Sequence, residues 1–125
     1  MSDAMTALSA ARDALADLPN VVSCKVGLEA NISPADYPLI RVVPTRMTPG
    51  RPYSKRTIEC QVYLGWNTTE GQAGLEDVYT KLLALEELVR DTITQDLGGR
   101  YIETIADEDR LDTYKLMAIR CELVS

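Results

Sequence analysis

Histidine is absent from all 125 residues. That absence removes Ser-His-Asp and Cys-His triads, HExxH zinc sites and every imidazole acid/base mechanism. Cysteine is scarce: Cys24, Cys60 and Cys121 lie far apart and form no CxxC pair. An odd count at that spacing fits a reducing cytosol better than a secreted disulfide framework. Long apolar runs are also missing. The densest, such as Pro38–Pro44, fall well short of the roughly 18 residues that span a bilayer, so no membrane partner is expected. The opening Met1-Ser-Asp-Ala lacks the basic start and apolar core of a signal peptide. The expectation is a soluble product made in the cytoplasm, where the sequons at Asn31 and Asn67 carry no meaning. Bases are the minority, 13 Lys+Arg against 19 Asp+Glu, for a net charge of −6. A protein that coats nucleic acid needs clustered cations instead.

What is present describes one ordinary folded domain over residues 1–125, with 46% apolar and 26% charged residues. Residues 2–18 read as a helix with Ser2 or Asp3 as N-cap. Met5, Leu8, Ala11, Leu15 and Leu18 form its apolar stripe, and Pro19-Asn20 ends it. Residues 21–29 alternate as a half-buried strand, with Val22, Cys24, Val26 and Leu28 on one face. Asn31, Ser33, Pro34 and Asp36 mark a loop. A second strand runs from Leu39 to Val43 and stops at Pro44. The third, residues 57–66, puts Ile58, Cys60, Val62, Leu64 and Trp66 on one face. About a dozen residues, Pro44 to Arg56, are left as a connecting loop.

A long helix is expected over 72–95, striped by Leu75, Val78, Leu82, Leu85, Val89 and Ile93, with Gly98 just past its end. Two strands follow, about 100–106 and 113–124, joined by an acidic turn from Asp107 to Asp112. The order is α-β-β-β-α-β-β. It predicts an α+β two-layer domain: a mainly antiparallel sheet, two helices on one face, and a long loop between the second and third strands.

Few constellations carry chemistry. All three cysteines fall on apolar strand faces, where free cysteine acts as a small hydrophobe; no histidine can complete a metal site or activate a thiolate. The acidic turn fails as a calcium loop, because Asp112 and Ala118 stand where glycine and glutamate are required. Gly71 to Gly74 lacks the lysine of a P-loop. No enzyme, cofactor or metal is expected. The basic segment is different. Arg46, Arg51, Lys55 and Arg56, with Arg41 just before, contain no acid among them, whereas residues 76–112 hold eleven acids against four bases. Arginine and tyrosine favour interfaces, so Arg46, Arg51, Tyr53, Lys55 and Arg56 are the candidate contact residues. Pro49 and Pro52 stiffen the segment and lower the entropy lost on docking.

The stretch Tyr37-Pro-Leu-Ile-Arg-Val-Val43, the excursion to Arg56, and Thr57-Ile-Glu-Cys-Gln-Val-Tyr-Leu64 leading into the long helix carry a resemblance. Together with the length and element order, they resemble the tail terminator proteins of long-tailed bacteriophages, the minor tail protein U type. That resemblance implies a structural virion protein at the head-proximal end of the tail, assembled in the host cytoplasm. It would form a homohexameric ring that caps the tail tube, stops its polymerisation and presents a surface to the head-tail connector protein. Its partners would be further copies of itself, the tail tube protein and the connector, with DNA passing through the lumen without specific binding. Six copies of a loop with four cations would place about 24 positive charges in a lumen and hold phosphate there. The loop is therefore expected to face protein, with a neutral or acidic lumen. The competing expectations are another neck or tail-completion protein, or a small cytoplasmic ligand- or metal-binding α+β domain using the acidic turn.

Overall fold

Alternating apolar residues in four of the strands build one side of a five-stranded sheet, and two amphipathic helices cover it. The computed structural model describes residues 3–27, 38–49, 56–67, 75–109 and 114–124. Its elements are α1 (Asp3–Ala16), β1 (Ser23–Val26), β2 (Leu39–Pro49), β3 (Arg56–Asn67), α2 (Leu75–Asp91), β4 (Arg100–Asp109) and β5 (Tyr114–Val124). The sheet order is β1-β2-β3-β5-β4. Only the β1–β2 pair is parallel; the other three are antiparallel. The chain is thus mixed α+β, with one five-stranded sheet and two α-helices among the described residues.

The core follows from the register. Ile40 faces Leu64 and Val42 faces Val62 across β2 and β3. Met117, Ile119, Cys121 and Leu123 of β5 continue the rows opposite Leu64, Val62, Cys60 and Ile58. From above, α1 adds Ala4, Leu8, Ala11 and Leu15, while α2 adds Val78, Leu82, Leu85 and Val89, all in one buried cluster. Burial of this area is the main stabilising term. Helix α2 also suits its own dipole, with Glu76 and Asp77 in the first turn and Arg90 in the last.

Two details depart from the expected outline. Helix α2 leaves regular α-helical geometry at Asp91, short of the expected residue 95, and passes into a π-helical turn, Thr92–Asp96, closed by Leu97 N–H donating to the Thr92 carbonyl at 3.0 Å. The hydroxyls of Thr92 and Thr94 donate to the Leu88 and Arg90 carbonyls and loosen the regular helix there. Gly98 then takes a left-handed φ of 64°, and Gly99 packs so tightly that a Cβ would stand 2.7 Å from the Glu122 carbonyl oxygen.

The second departure concerns the connection between β2 and β3. Strand β2 does not stop at Pro44 but continues to Pro49, and β3 begins at Arg56. The expected long loop over Pro44 to Arg56 is therefore strand as far as Pro49 and again at Arg56, with residues 50–55 outside the described residues. Proline is excluded from central strands because it has no N–H to donate. Strand β1 pairs only as far as Val42, so Pro44 sits where β2 has become an edge and the restriction lifts.

Candidate functional site

The hairpin formed by β2 and β3 is where the basic residues converge. A bulge between Pro44 and Arg46 sets its surface chemistry. Cys60 faces Pro44 and Glu59 faces Arg46, so Thr45 is the extra residue; its hydroxyl donates to the Glu59 carbonyl at 3.1 Å. One inserted residue reverses which face each later side chain occupies. Arg46 is thereby turned to the face away from the helices, and Met47, opposite Ile58, is turned to the helix-bearing face.

The five expected contact residues fare differently. Arg46 is exposed, and its Nε lies 3.5 Å from Glu59 Oε2. It begins a row across four strands: Glu59 faces Glu122 on β5, and Glu122 lies 3.5 Å from Arg100 Nη1 on β4. The two opposed carboxylates would repel, and an arginine from each flanking strand offsets that. Arg56 is exposed at the start of β3, opposite Pro49. Arg51, Tyr53 and Lys55 lie outside the described residues.

Arg41, which the sequence groups with the basic segment, does not belong to that surface. It is 0% exposed on the face away from the helices, where Nη1 donates to Ser23 Oγ at 3.1 Å and to the Ile40 carbonyl at 2.9 Å. Leu39, Leu116 and Ala118 are buried on the same face. Arg41 therefore has a structural part, tying β1 to β2.

The thiols lie in the core or against it. Cys60 and Cys121 are buried and directly opposite each other on β3 and β5, and burial pushes both up to about 12. Cys24 is half-buried; burial raises it to about 11, with the nearby Arg41 and Arg12 opposing. Such thiols are poor nucleophiles. Among the described residues no group of three His, Cys, Asp or Glu side chains is placed to hold a metal ion. Asp107 to Asp109, expected in a turn, continue β4, and residues 110–113 lie outside the described residues. No helix among the described residues is long and apolar enough to cross a membrane.

One buried acid has local partners. Glu86 accepts from the Thr104 hydroxyl at 2.6 Å, Thr104 bonds Tyr101 at 2.7 Å, and Arg90 lies 3.8 Å from Glu86 and stacks over the Tyr101 ring. This network pins α2 to β4.

A second surface was not anticipated from the sequence. Pro19, Asn20, Trp66, Lys81, Ala84, Leu85 and Leu88 line a shallow, mainly apolar cleft of about 110 Å³. Asn20 takes a left-handed φ of 70°, turning the chain after α1 at the cleft wall. Lys81 lies over the Trp66 ring and pairs with Asp77 at 3.1 Å. The legible signal was Leu83 and Leu88, two leucines of α2 outside its buried stripe, 50% and 40% exposed respectively. Trp66 is buried as expected from its strand face, yet its ring also forms part of this cleft.

No protein-family model matches the chain, and no curated protein matches it in sequence.

Proposed function

We propose that this chain is a structural protein of a phage virion, of the tail terminator kind, which assembles into a ring on the end of the tail tube. In that reading the ring stops tube growth and offers its outer surface to the head-tail connector. The observation that carries it is the β2–β3 hairpin, which runs past the end of β1 and holds exposed Arg46, Met47 and Arg56. It supports the reading because the hairpin occupies the segment on which the sequence resemblance rests. An exposed stretch of sheet edge of this kind suits contact between copies or with the tube. The cations on it face protein partners in the proposed ring, leaving a lumen through which DNA passes without being held.

A small-molecule site at the cleft beside Trp66 is not favoured. The cleft beside Trp66 is far below the roughly 300 Å³ at which ligand sites begin.

Electron microscopy of the purified chain mixed with tail tubes tests the reading. Rings at tube ends and a fixed tube length are expected. Arg51→Glu combined with Arg56→Glu should reduce capping at least tenfold while the circular-dichroism melt stays that of the wild type. Tubes that grow on unchecked in the presence of the wild-type chain would refute the terminator reading. Binding to connectors alone would move the protein to the neck.

A further inference from the structure

Two exposed apolar features of the helix-bearing face lie at opposite ends of the sheet. Met47 stands opposite Ile58 near the start of β3 and is 46% exposed. Trp66, at the back of the cleft, lies eight residues further along the same strand, about 27 Å away. The separation is even, so both side chains face the same side of the sheet. A molecule cannot bring its own Met47 to its own cleft across that distance.

Charge divides between the same two ends. Arg56 is exposed two residues from Ile58 and shares the face of Met47. Beside the cleft, Glu87 and Asp91 are exposed on α2, one turn apart and next to Leu88. Among the described residues no cation pairs with either.

We propose that Met47 of one copy seats in the Trp66–Leu85–Leu88 cleft of the next, with Arg56 meeting Glu87 and Asp91, so that copies join head to tail. Methionine suits such a seat because its unbranched thioether adapts to an irregular apolar surface. The acid–base rim excludes the reversed pairing and fixes register. With each copy giving its knob to one neighbour and taking the knob of another, the contact is heterologous and repetition closes a ring or extends a filament; two copies that filled each other's clefts would instead stop at a two-fold dimer. This inference rests on the ring-forming reading above and names the pair of surfaces that would build the ring.

Sedimentation velocity on the full-length chain tests it, with Met47→Asp and Leu88→Asp as the two variants and circular dichroism to confirm folding. The wild type is expected to sediment as an oligomer, and each variant alone as a monomer. An equimolar mixture of the two variants should give a one-to-one dimer and nothing larger, because only one intact knob and one intact cleft remain. Should Leu88→Asp unfold the helix, Ala84→Glu blocks the same cleft from an exposed position. Arg56→Glu should weaken association roughly tenfold or more, and Glu87→Arg with Asp91→Arg should restore it. A wild type that stays monomeric or stops at a dimer, a folded variant that keeps the wild-type oligomer, or a mixture without dimer overturns the proposal. Tube capping that survives Met47→Asp and Leu88→Asp overturns this contact alone. Rings that form through it yet leave tubes growing overturn the terminator reading alone.

Discussion

Cys60 and Cys121 face one another in the core with thiols raised from 9.0 to about 12 by burial. A thiol whose folded value exceeds its unfolded one stays protonated in the native state while the unfolded chain ionises. Stability is therefore complete below pH 9 and falls as the pH climbs from 9 towards 12, by about 1 kcal/mol per pH unit for each thiol. Urea unfolding across that range should show a shallower decline for the variant Cys60→Ala with Cys121→Ala than for the wild type. Equal slopes would mean that the thiols are not desolvated. The arginines separate just as sharply. Arg41→Ala removes a fully buried side chain with its hydrogen bonds to Ser23 and to the Ile40 carbonyl, and should cost about 2–4 kcal/mol in the same assay. Arg46→Ala should cost under about 1 kcal/mol, since its ion pair with Glu59 is largely exposed.

At the scale of elements, the junction of α2 with β4 is the most constrained place in the fold. The π-helical turn, left-handed Gly98 and tightly packed Gly99 bring the chain from the helix layer back to the sheet in a few residues. Gly99→Ala would drive a Cβ against the Glu122 carbonyl, which is backbone and cannot rotate aside. A loss of about 1–3 kcal/mol is expected, read as a lowered urea midpoint with the slope unchanged. An unaltered midpoint would show that β5 yields at this point. The hairpin shows the opposite economy. One extra residue at Thr45 exchanges the faces of Arg46 and Met47, so a single bulge puts the arginine in the polar charge row and the methionine on the helix-bearing side.

Across the whole molecule two stretches of sheet edge, the free part of β2 and β4, are poorly suited to strand addition. Strand β2 carries Pro44, Pro49 and a bulge along its free part, and β4 has two register shifts against β5. These features discourage backbone pairing between copies. In the proposed ring, contacts would therefore be made by side chains, with a knob at one end of the helix-bearing face and a cleft at the other. The charge distribution fits that polarity. The net −6 combines a basic hairpin with an acidic second half, and two unlike surfaces can use such an asymmetry where a uniform charge would only repel.

Periodicity along the chain was enough to determine the helix stripes, the core faces of β3 and β5, and the α+β class, because burial of one face writes a period of 3.6 or 2 into the sequence. Gly98 was legible as a helix stop for the same local reason. The tertiary structure alone decided the rest. Proline at position 44 looks like a strand terminator until the neighbouring strand is known to end at Val26, which leaves β2 an edge. Arg41 resembles its basic neighbours until the sheet register buries it beside Ser23. The cleft joins the end of α1, the end of β3 and the outer face of α2, segments that no local pattern connects. A repeating pattern records which way a side chain faces within its own element. What that face meets depends on contacts between distant parts of the chain.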